Sequence, residues 1–198
     1  MPELHAAFSP SRYLIRRKVF KLFGGAFHIY AEDERTVCFY AEQKAFRFKE
    51  EFTVFGDEAM AQPLLRIQAR QVLDLGATYD ITDAVGGQKV GAVRRKALAS
   101  ILRDTWEVLG ADDQVLATVM EDSLLWALFR RVLSNLVPQS YDIKAANGMI
   151  IGRFKQRFNL FIFKMDLEFL ADRGTAALDR RLGIGLATCM MAIEGRQR

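Results

Sequence analysis

Twelve consecutive residues near the C-terminus, LGIGLATCMMAI at 182–193, contain no charge. Thr188 and Cys189 are the most polar side chains in the run, so a helix built from it would be apolar on every face. At about 1.5 Å per residue this helix would span roughly 18 Å, whereas a bilayer requires about 20 residues. We therefore expect the rest of the protein to enclose the helix, with ordinary packing on one sheet as the alternative.

The flanks of this run contain signals for a helix. Asp172, Gly174 and Thr175 supply start signals, Asp179 stands early in the helix and Gly195 occupies a C-cap position. Gly183 and Gly185 each disfavour a helix interior by about 1 kcal/mol relative to alanine. Close approach of the surrounding backbone would explain them, and such approach is expected inside a narrow barrel.

A sequence repeat of 26 residues recurs along the chain. Each copy has a basic residue, an apolar corner, an aromatic or β-branched run, a turn rich in Asp, Asn or Gly, and a second alternating run, which together predict a β-hairpin. The repeat is interrupted once by about eight residues before it resumes. The basic residues that begin the copies are Lys18, Lys44, Arg70, Lys96, Arg131 and Arg157.

These repeats predict twelve strands. An opening strand at about residues 13–20 precedes five hairpins, and a closing strand follows at about residues 159–169. Closing such a meander into an antiparallel barrel would leave no exposed edge strand. A twelve-stranded barrel also leaves a lumen, which the buried C-terminal helix would fill. The predicted fold class is therefore mainly β.

The interruption of the repeat has helical periodicity. Residues 122–137, DSLLWALFRRVLSNLV, place apolar side chains on one face and are followed by Pro138, which predicts an inserted amphipathic helix. Trp126 and Phe129 beside Arg130 and Arg131 give it the composition of a membrane-interface helix. The alternative is that its apolar stripe covers one mouth of the barrel.

Several of these stretches resemble the tubby C-terminal-domain-like superfamily, specifically its LURP-one-related and phospholipid-scramblase-like branches. The resemblance covers residues 11–194 and implies a twelve-stranded barrel around a central helix. Tubby domains bind phosphoinositides through basic residues, and scramblases are tied to lipid movement, but no individual site residue is carried over. The stretches are 12–30, 78–96, 105–119, 140–156 and the apolar terminal helix.

Length and composition favour one domain at residues 11–195, preceded by a flexible segment at 1–10. Half of the 198 residues are hydrophobic, and the net charge is +4. Residues 1–11 do not have the pattern of a signal peptide, and no apolar run is long enough for a transmembrane helix. Cys38 and Cys189 stand far apart, without metal-ligand spacing. We expect a cytoplasmic protein whose membrane contact, if any, is peripheral.

The sequence offers little material for catalysis. His5 lies in the N-terminal segment and His28 alternates with apolar residues in a predicted strand. No metalloprotease, P-loop or nucleophile-elbow motif is present, and turn chemistry accounts for Asp112 and Asp113 without a metal ion. We therefore expect no catalytic residue, metal or cofactor.

Basic residues fall at equivalent points of the repeats, which predicts that they gather toward one end of the barrel. Such a surface would attract anionic phospholipid, for example a phosphoinositide-like headgroup. The alternatives are that these residues only solubilise the strand ends, and that the protein is a scaffold or interaction module without a lipid role. A nucleic-acid partner is not expected at this low net charge. The candidate contacts are Arg16, Arg17, Lys18, Lys44, Arg94, Arg95, Lys96, Arg130, Arg131, Lys155 and Arg157, with Trp126 and Phe129 as interface residues.

Overall fold

The computed structural model describes residues 4–18, 26–43, 51–71, 76–96, 105–121, 139–159, 162–170 and 178–194. In these ranges twelve strands form one closed antiparallel barrel, in which consecutive strands pair and β1 pairs with β12. The predicted fold class is confirmed. The strands are β1 Arg12–Lys18, β2 Ala26–Tyr30, β3 Val37–Gln43, β4 Glu51–Phe55, β5 Pro63–Ala69, β6 Thr78–Asp83, β7 Lys89–Lys96, β8 Thr105–Gly110, β9 Val115–Glu121, β10 Ser140–Ala145, β11 Ile150–Arg157 and β12 Ile162–Phe169.

Side chains alternate between the barrel interior and its outer wall. Strand β12 is the clearest case, because every second residue is buried and the residues between them are partly exposed. The buried set belongs to one core cluster that includes the C-terminal helix. The buried residues of β12 are Phe163, Met165, Leu167 and Phe169, and the outer ones are Ile162, Lys164, Asp166 and Glu168.

The apolar run forms helix α1, Arg180–Glu194, and all residues from 182 to 192 are buried. A helix buried on every face must be surrounded, so the prediction of an enclosed helix is confirmed. Asp179 precedes the helix and accepts a hydrogen bond from the Arg181 backbone N–H at 2.9 Å, which makes it the N-cap. The other predicted start signals and Gly195 lie outside the described residues.

The barrel wall presses on α1 from opposite sides. A Cβ atom at Gly183 would overlap the ring of Phe169 on β12, and one at Gly185 would overlap Ile81 on β6. These two strands lie six positions apart in the closed barrel of twelve. A larger residue at either helix position would force Phe169 or Ile81 to move, which explains the two glycines by close approach of the barrel wall, as the sequence indicated.

The two ends of the barrel can be distinguished by strand direction. Odd-numbered strands run toward one end, which we call the far end. The opposite end, which we call the turn end, contains the described hairpin turns 31–36, 56–62, 84–88, 111–114 and 146–149. Arg181 bonds Asp83 at 2.9 Å at the turn end, and Arg17 donates to the Met191 carbonyl at 2.8 Å near the far end. Helix α1 thus runs from the turn end to the far end.

Two further features complete the described fold. A short 3-10 helix, Ala6–Phe8, places the Phe8 ring 4.8 Å from that of Phe39. Cys38 and Cys189 are both buried free thiols.

None of the helices in the described ranges combines the length and hydropathy that a membrane span requires. The inserted helix expected at 122–137 lies outside those ranges, and the domain bounds remain predictions.

Candidate functional site

The described candidate residues lie toward the far end. They occupy the second halves of β1, β7 and β11, and these odd-numbered strands all run in that direction. The 26-residue repeat therefore brings them to one end, although they face different sides of the wall. The described set is Arg16, Arg17, Lys18, Arg94, Arg95, Lys96, Lys155 and Arg157, whereas Lys44, Arg130, Arg131, Trp126 and Phe129 lie outside the described residues.

Two of these arginines belong to the inner face. Arg17 follows the core residue Ile15 by two positions, and Arg95 follows Val93 in the same way. The Arg17 guanidinium donates to the carbonyl of Met191, close to the C-terminus of α1, where the helix dipole favours a cation. Arg17 therefore holds the end of the enclosed helix and is not part of the outer wall.

Arg94 and Lys96 on β7 are engaged by Glu107 of β8. The Arg94 guanidinium donates to Oε2 of Glu107 at 2.8 and 2.5 Å, and Lys96 forms an ion pair with Oε1. The Glu107 side chain is only 7% exposed. Burial disfavours its charged form, but the bonds from Lys96 and Arg94 outweigh burial and hold its pKa below the ordinary value. These two basic residues therefore have a structural role.

Three basic side chains stand side by side on the outer wall of β11, β12 and β1. Arg157 lies opposite Lys164, and Lys164 lies opposite Arg16. We call these three residues the basic row. Lys164 is half-buried and forms no ion pair with any described residue. Like charges directly opposite each other destabilise a sheet, so the row is not explained by folding alone.

Two carboxylates partly offset the basic row. Glu34, at φ 58° in turn 31–36, lies 2.7 Å from Arg157 and 3.2 Å from Arg16. Asp166 accepts two hydrogen bonds from Arg157, at 2.7 and 2.6 Å. The bond from Arg157 is the main reason that the pKa of Glu34 lies below its ordinary value. Exposed Lys155 lies opposite Asp166, two register positions from the Arg157–Lys164 pair, so the basic row and Lys155 together place four cations beside Glu34 and Asp166.

The opposite side of the barrel repeats this arrangement with different residues. Arg70 binds Asp80 at 2.7 Å and the turn residue Asp113 at 2.6 Å, and Lys89 also reaches Asp113 at 2.8 Å. Strands β5–β7 thus copy β11, β12 and β1 after a rotation of six strands. Thr78 lies between Arg70 and Arg94 as Lys164 lies between Arg157 and Arg16. We call Arg70, Thr78 and Arg94 the opposite row.

The Asp113 network should make stability depend on pH in the acid range. Hydrogen bonds from Arg70 and then Lys89 lower the pKa of Asp113 from 3.8 to about 2. A depressed native pKa contributes stability above the ordinary pKa, and this contribution is lost as the pH falls toward 2. Asp113→Asn should therefore lower the urea midpoint at pH 7 and weaken its decline between pH 4 and 2.

Asp112→Asn is the matched control, because Asp112 accepts only the backbone N–H of Gln114 among the described contacts. Both substitutions remove one carboxylate from the same turn. If the urea midpoint declined equally between pH 4 and 2 in wild type and in Asp113→Asn, the proposed contribution of the Asp113 network would be contradicted.

A family model described as LURP-one-related matches residues 37–190. The chain belongs to the LURP-one-related family. This family is part of the tubby-like superfamily, so the resemblance read from the sequence is confirmed. The match spans β3 to most of α1 and includes Lys164 and Arg157, while Arg16 on β1 precedes it. No curated protein matches this chain.

The two sides of this LURP-one-related barrel differ in charge. Lys164 of the basic row corresponds to Thr78 of the opposite row. His28 on β2 lies opposite Arg16 of the basic row. At the equivalent position beside the opposite row, the buried carboxylate of Glu107 on β8 lies opposite Arg94. The basic row is therefore more positive than its structural counterpart, although both are built on the same strand framework.

Sequence reasoning did not select Lys164 as a candidate contact. Its importance depends on pairing with β11 and β1, which come from distant parts of the chain. The sequence also gave no sign that Glu34 would reach Arg157, 123 residues away. One usable signal was present: the RRK triplet at 16–18 recurs at 94–96, three repeat lengths later.

Proposed function

We propose that this LURP-one-related barrel is a non-enzymatic protein that binds anionic phospholipid peripherally through the basic row and Lys155. The observation that carries the proposal is the in-register placement of Arg157, Lys164 and Arg16. Their mutual repulsion opposes folding, while Thr78 fills the place of Lys164 in the opposite row. An anionic ligand would remove that repulsion.

The chemistry of the row suits phosphate oxygens. Lys164, which forms no ion pair with a described residue, supplies a compact positive charge. The donors of Arg157 are already bonded to Asp166 and Glu34, so the two arginines contribute through their charge. Each basic residue near an acidic leaflet contributes about 1 kcal/mol, and this attraction weakens within a Debye length of roughly 8 Å at physiological salt. The proposed ligand class is therefore an acidic, phosphate-containing headgroup.

Aromatic side chains on the adjoining outer wall support the proposal that this surface contacts a membrane. The Arg16 guanidinium stacks over the Tyr30 ring at 4.5 Å, and His28 contacts the rings of Tyr30 and Tyr40 at 5.9 and 5.2 Å. Tyrosine is favoured at membrane interfaces because its ring is apolar and its hydroxyl is polar. The proposed membrane face thus extends from β11 to β3.

Lys164→Thr tests this proposal in full-length protein, because it installs the residue that the opposite row already contains. Vesicles of phosphatidylcholine with and without phosphatidylserine or phosphoinositide would be floated across a salt series. The partition coefficient for acidic vesicles should fall roughly fivefold, which corresponds to about 1 kcal/mol for one lost cation. Inorganic phosphate added as competitor distinguishes a free-phosphate site from a membrane site.

Lys144→Thr is the matched control. Lys144 is also a half-buried strand lysine without a described ion pair, but it lies on β10 near the turn end. Its replacement should leave vesicle binding unchanged. Equal losses in both variants, or binding that ignores acidic lipid, would contradict the proposal and favour the interaction module without a lipid role. We place the proposed activity on the cytoplasmic face of a membrane.

A further inference from the structure

The register line of the basic row continues onto a fourth strand. His28 on β2 lies directly opposite Arg16 on β1, and Arg16 in turn lies opposite Lys164 on β12. The His28 side chain is 30% exposed, so its imidazole reaches solvent on the same outer wall. The complete line, from β11 through β12 and β1 to β2, is Arg157, Lys164, Arg16 and His28.

The opposite row ends differently at the equivalent place. There Glu107 on β8 lies opposite Arg94, and its almost fully buried carboxylate forms ion pairs with Arg94 and Lys96. A carboxylate in this place neutralises the neighbouring cations. The imidazole of a histidine is either neutral or positively charged, so it cannot do the same. The basic row is therefore continued by a residue that can only add positive charge.

Charged and titratable side chains from several elements face His28. Arg16 lies opposite it on β1, the Tyr40 ring of β3 lies 5.2 Å away, and the Tyr30 ring of its own strand lies 5.9 Å away. From turn 56–62, Oε1 of Glu58 lies 2.8 Å from Nε2 of the imidazole. Glu58 attracts a protonated imidazole, whereas Arg16 repels it. Protonation of His28 gives this part of the wall one more positive charge.

We propose that His28 is a further lipid-contact residue, which strengthens binding to acidic membranes when it is protonated. This inference rests on the function proposed above and adds a dependence on pH to it. Histidine is the side chain that ordinarily changes its charge between about pH 5 and 8, whereas arginine and lysine stay charged there. The coupling is reciprocal, because acidic lipid favours the charged imidazole by as much as that charge favours binding.

Vesicle flotation at two pH values measures the contribution of His28. Vesicles of phosphatidylcholine with phosphatidylglycerol are suitable, because the charge of phosphatidylglycerol stays constant over this range. Between about pH 7.5 and about pH 5.5 the partition coefficient of the full-length protein should rise roughly fivefold, which corresponds to about 1 kcal/mol for one added cation. In His28→Gln, whose amide can still donate a hydrogen bond to Glu58, this rise should disappear.

His5→Asn is the matched control, because the chain contains only two histidines. Nδ1 of His5 accepts a hydrogen bond from the backbone N–H of Ala7 at 3.2 Å, and an asparagine side chain can accept the same bond. This variant should keep the roughly fivefold rise in partition coefficient. The melting temperatures of both variants should stay close to that of wild type at both pH values, which shows that the barrel remains folded.

Three results would overturn the role of His28 and leave the proposed function standing. The first is a wild-type protein that binds acidic vesicles equally well at both pH values. The second is a His28→Gln protein in which the rise persists. The third is a His5→Asn protein in which the rise is lost, because the effect would then belong to the N-terminal segment.

The proposed function fails in a different way. If the wild-type protein does not float with acidic vesicles at either pH, or floats equally with vesicles of phosphatidylcholine alone, both proposals are wrong. Flotation with acidic vesicles only at the lower pH, lost in His28→Gln and kept in His5→Asn, would support both.

Discussion

Replacing Met190 by aspartate should abolish folding of this LURP-one-related barrel. Met190 is fully buried in α1, and all residues from 182 to 192 are buried around it. An unpaired carboxylate in such an interior costs several kcal/mol after relaxation, in addition to the lost apolar contacts. A domain of this size is stable by only about 5–15 kcal/mol. Circular dichroism at pH 7 should show no cooperative thermal transition.

Met190→Leu is the control for this experiment, because it conserves volume and hydrophobicity. Such replacements usually cost less than about 1.5 kcal/mol, so the leucine protein should melt cooperatively close to wild type. A wild-type melting curve for Met190→Asp would mean that α1 leaves the barrel in solution. The enclosed-helix architecture would then be wrong.

The double substitution Arg94→Ala/Lys96→Ala should be the next most destabilising change. Arg94 and Lys96 are 41% and 46% exposed and can be hydrated, but their partner Glu107 is 7% exposed. Without them the Glu107 carboxylate remains buried with no described cation, and breaking a buried pair in this way costs about 3–5 kcal/mol. Urea unfolding should show a lower midpoint at an unchanged slope, and the free energy of unfolding calculated from them should fall by that amount.

A triple variant distinguishes the buried charge from general damage to β7. Adding Glu107→Leu to the double variant removes the uncompensated carboxylate, so most of the lost stability should return. Arg16→Ala should cost less than the double substitution, because its partner Glu34 is 39% exposed and can be hydrated after the change, whereas Glu107 cannot. If the triple variant is no more stable than the double variant, Glu107 is not the cause.

These results would also reassign some predicted lipid contacts. Arg94 and Lys96 belong to the basic set expected from the sequence, yet both are engaged by a buried carboxylate. A loss of vesicle binding in their variants would therefore follow from unfolding as readily as from lost charge. Lys164 avoids this ambiguity, since it forms no described ion pair.

Most of the architecture was predictable because it depends on short-range periodicity. Alternation with a period of two, hairpin turns every 26 residues and the uncharged run 182–193 are local properties of the chain. Gly183 and Gly185 indicated a narrow lumen before any strand was placed. The opening strand predicted at about residues 13–20 is described as Arg12–Lys18, and residues 19 and 20 lie outside the described ranges.

The candidate site was only partly predictable. The repeat indicated that basic residues would gather toward one end, but it did not distinguish the inner Arg17 from the outer Arg16 in terms of partners. Nor did it reveal that Glu107 neutralises one group and that Glu34 bridges another. Each of these outcomes depends on which residue of a neighbouring strand lies opposite.

The sequence by itself determined the strand count, the closed meander and the enclosed helix, because a fully apolar segment and a repeating hairpin leave few ways to bury their surfaces. The tertiary structure alone decided which charges remain available. Strands β1 and β12 meet only when the barrel closes, and that closure places Lys164 between Arg16 and Arg157. Ion pairing depends on distances of a few ångströms between residues far apart in the chain, and a linear pattern does not contain that information.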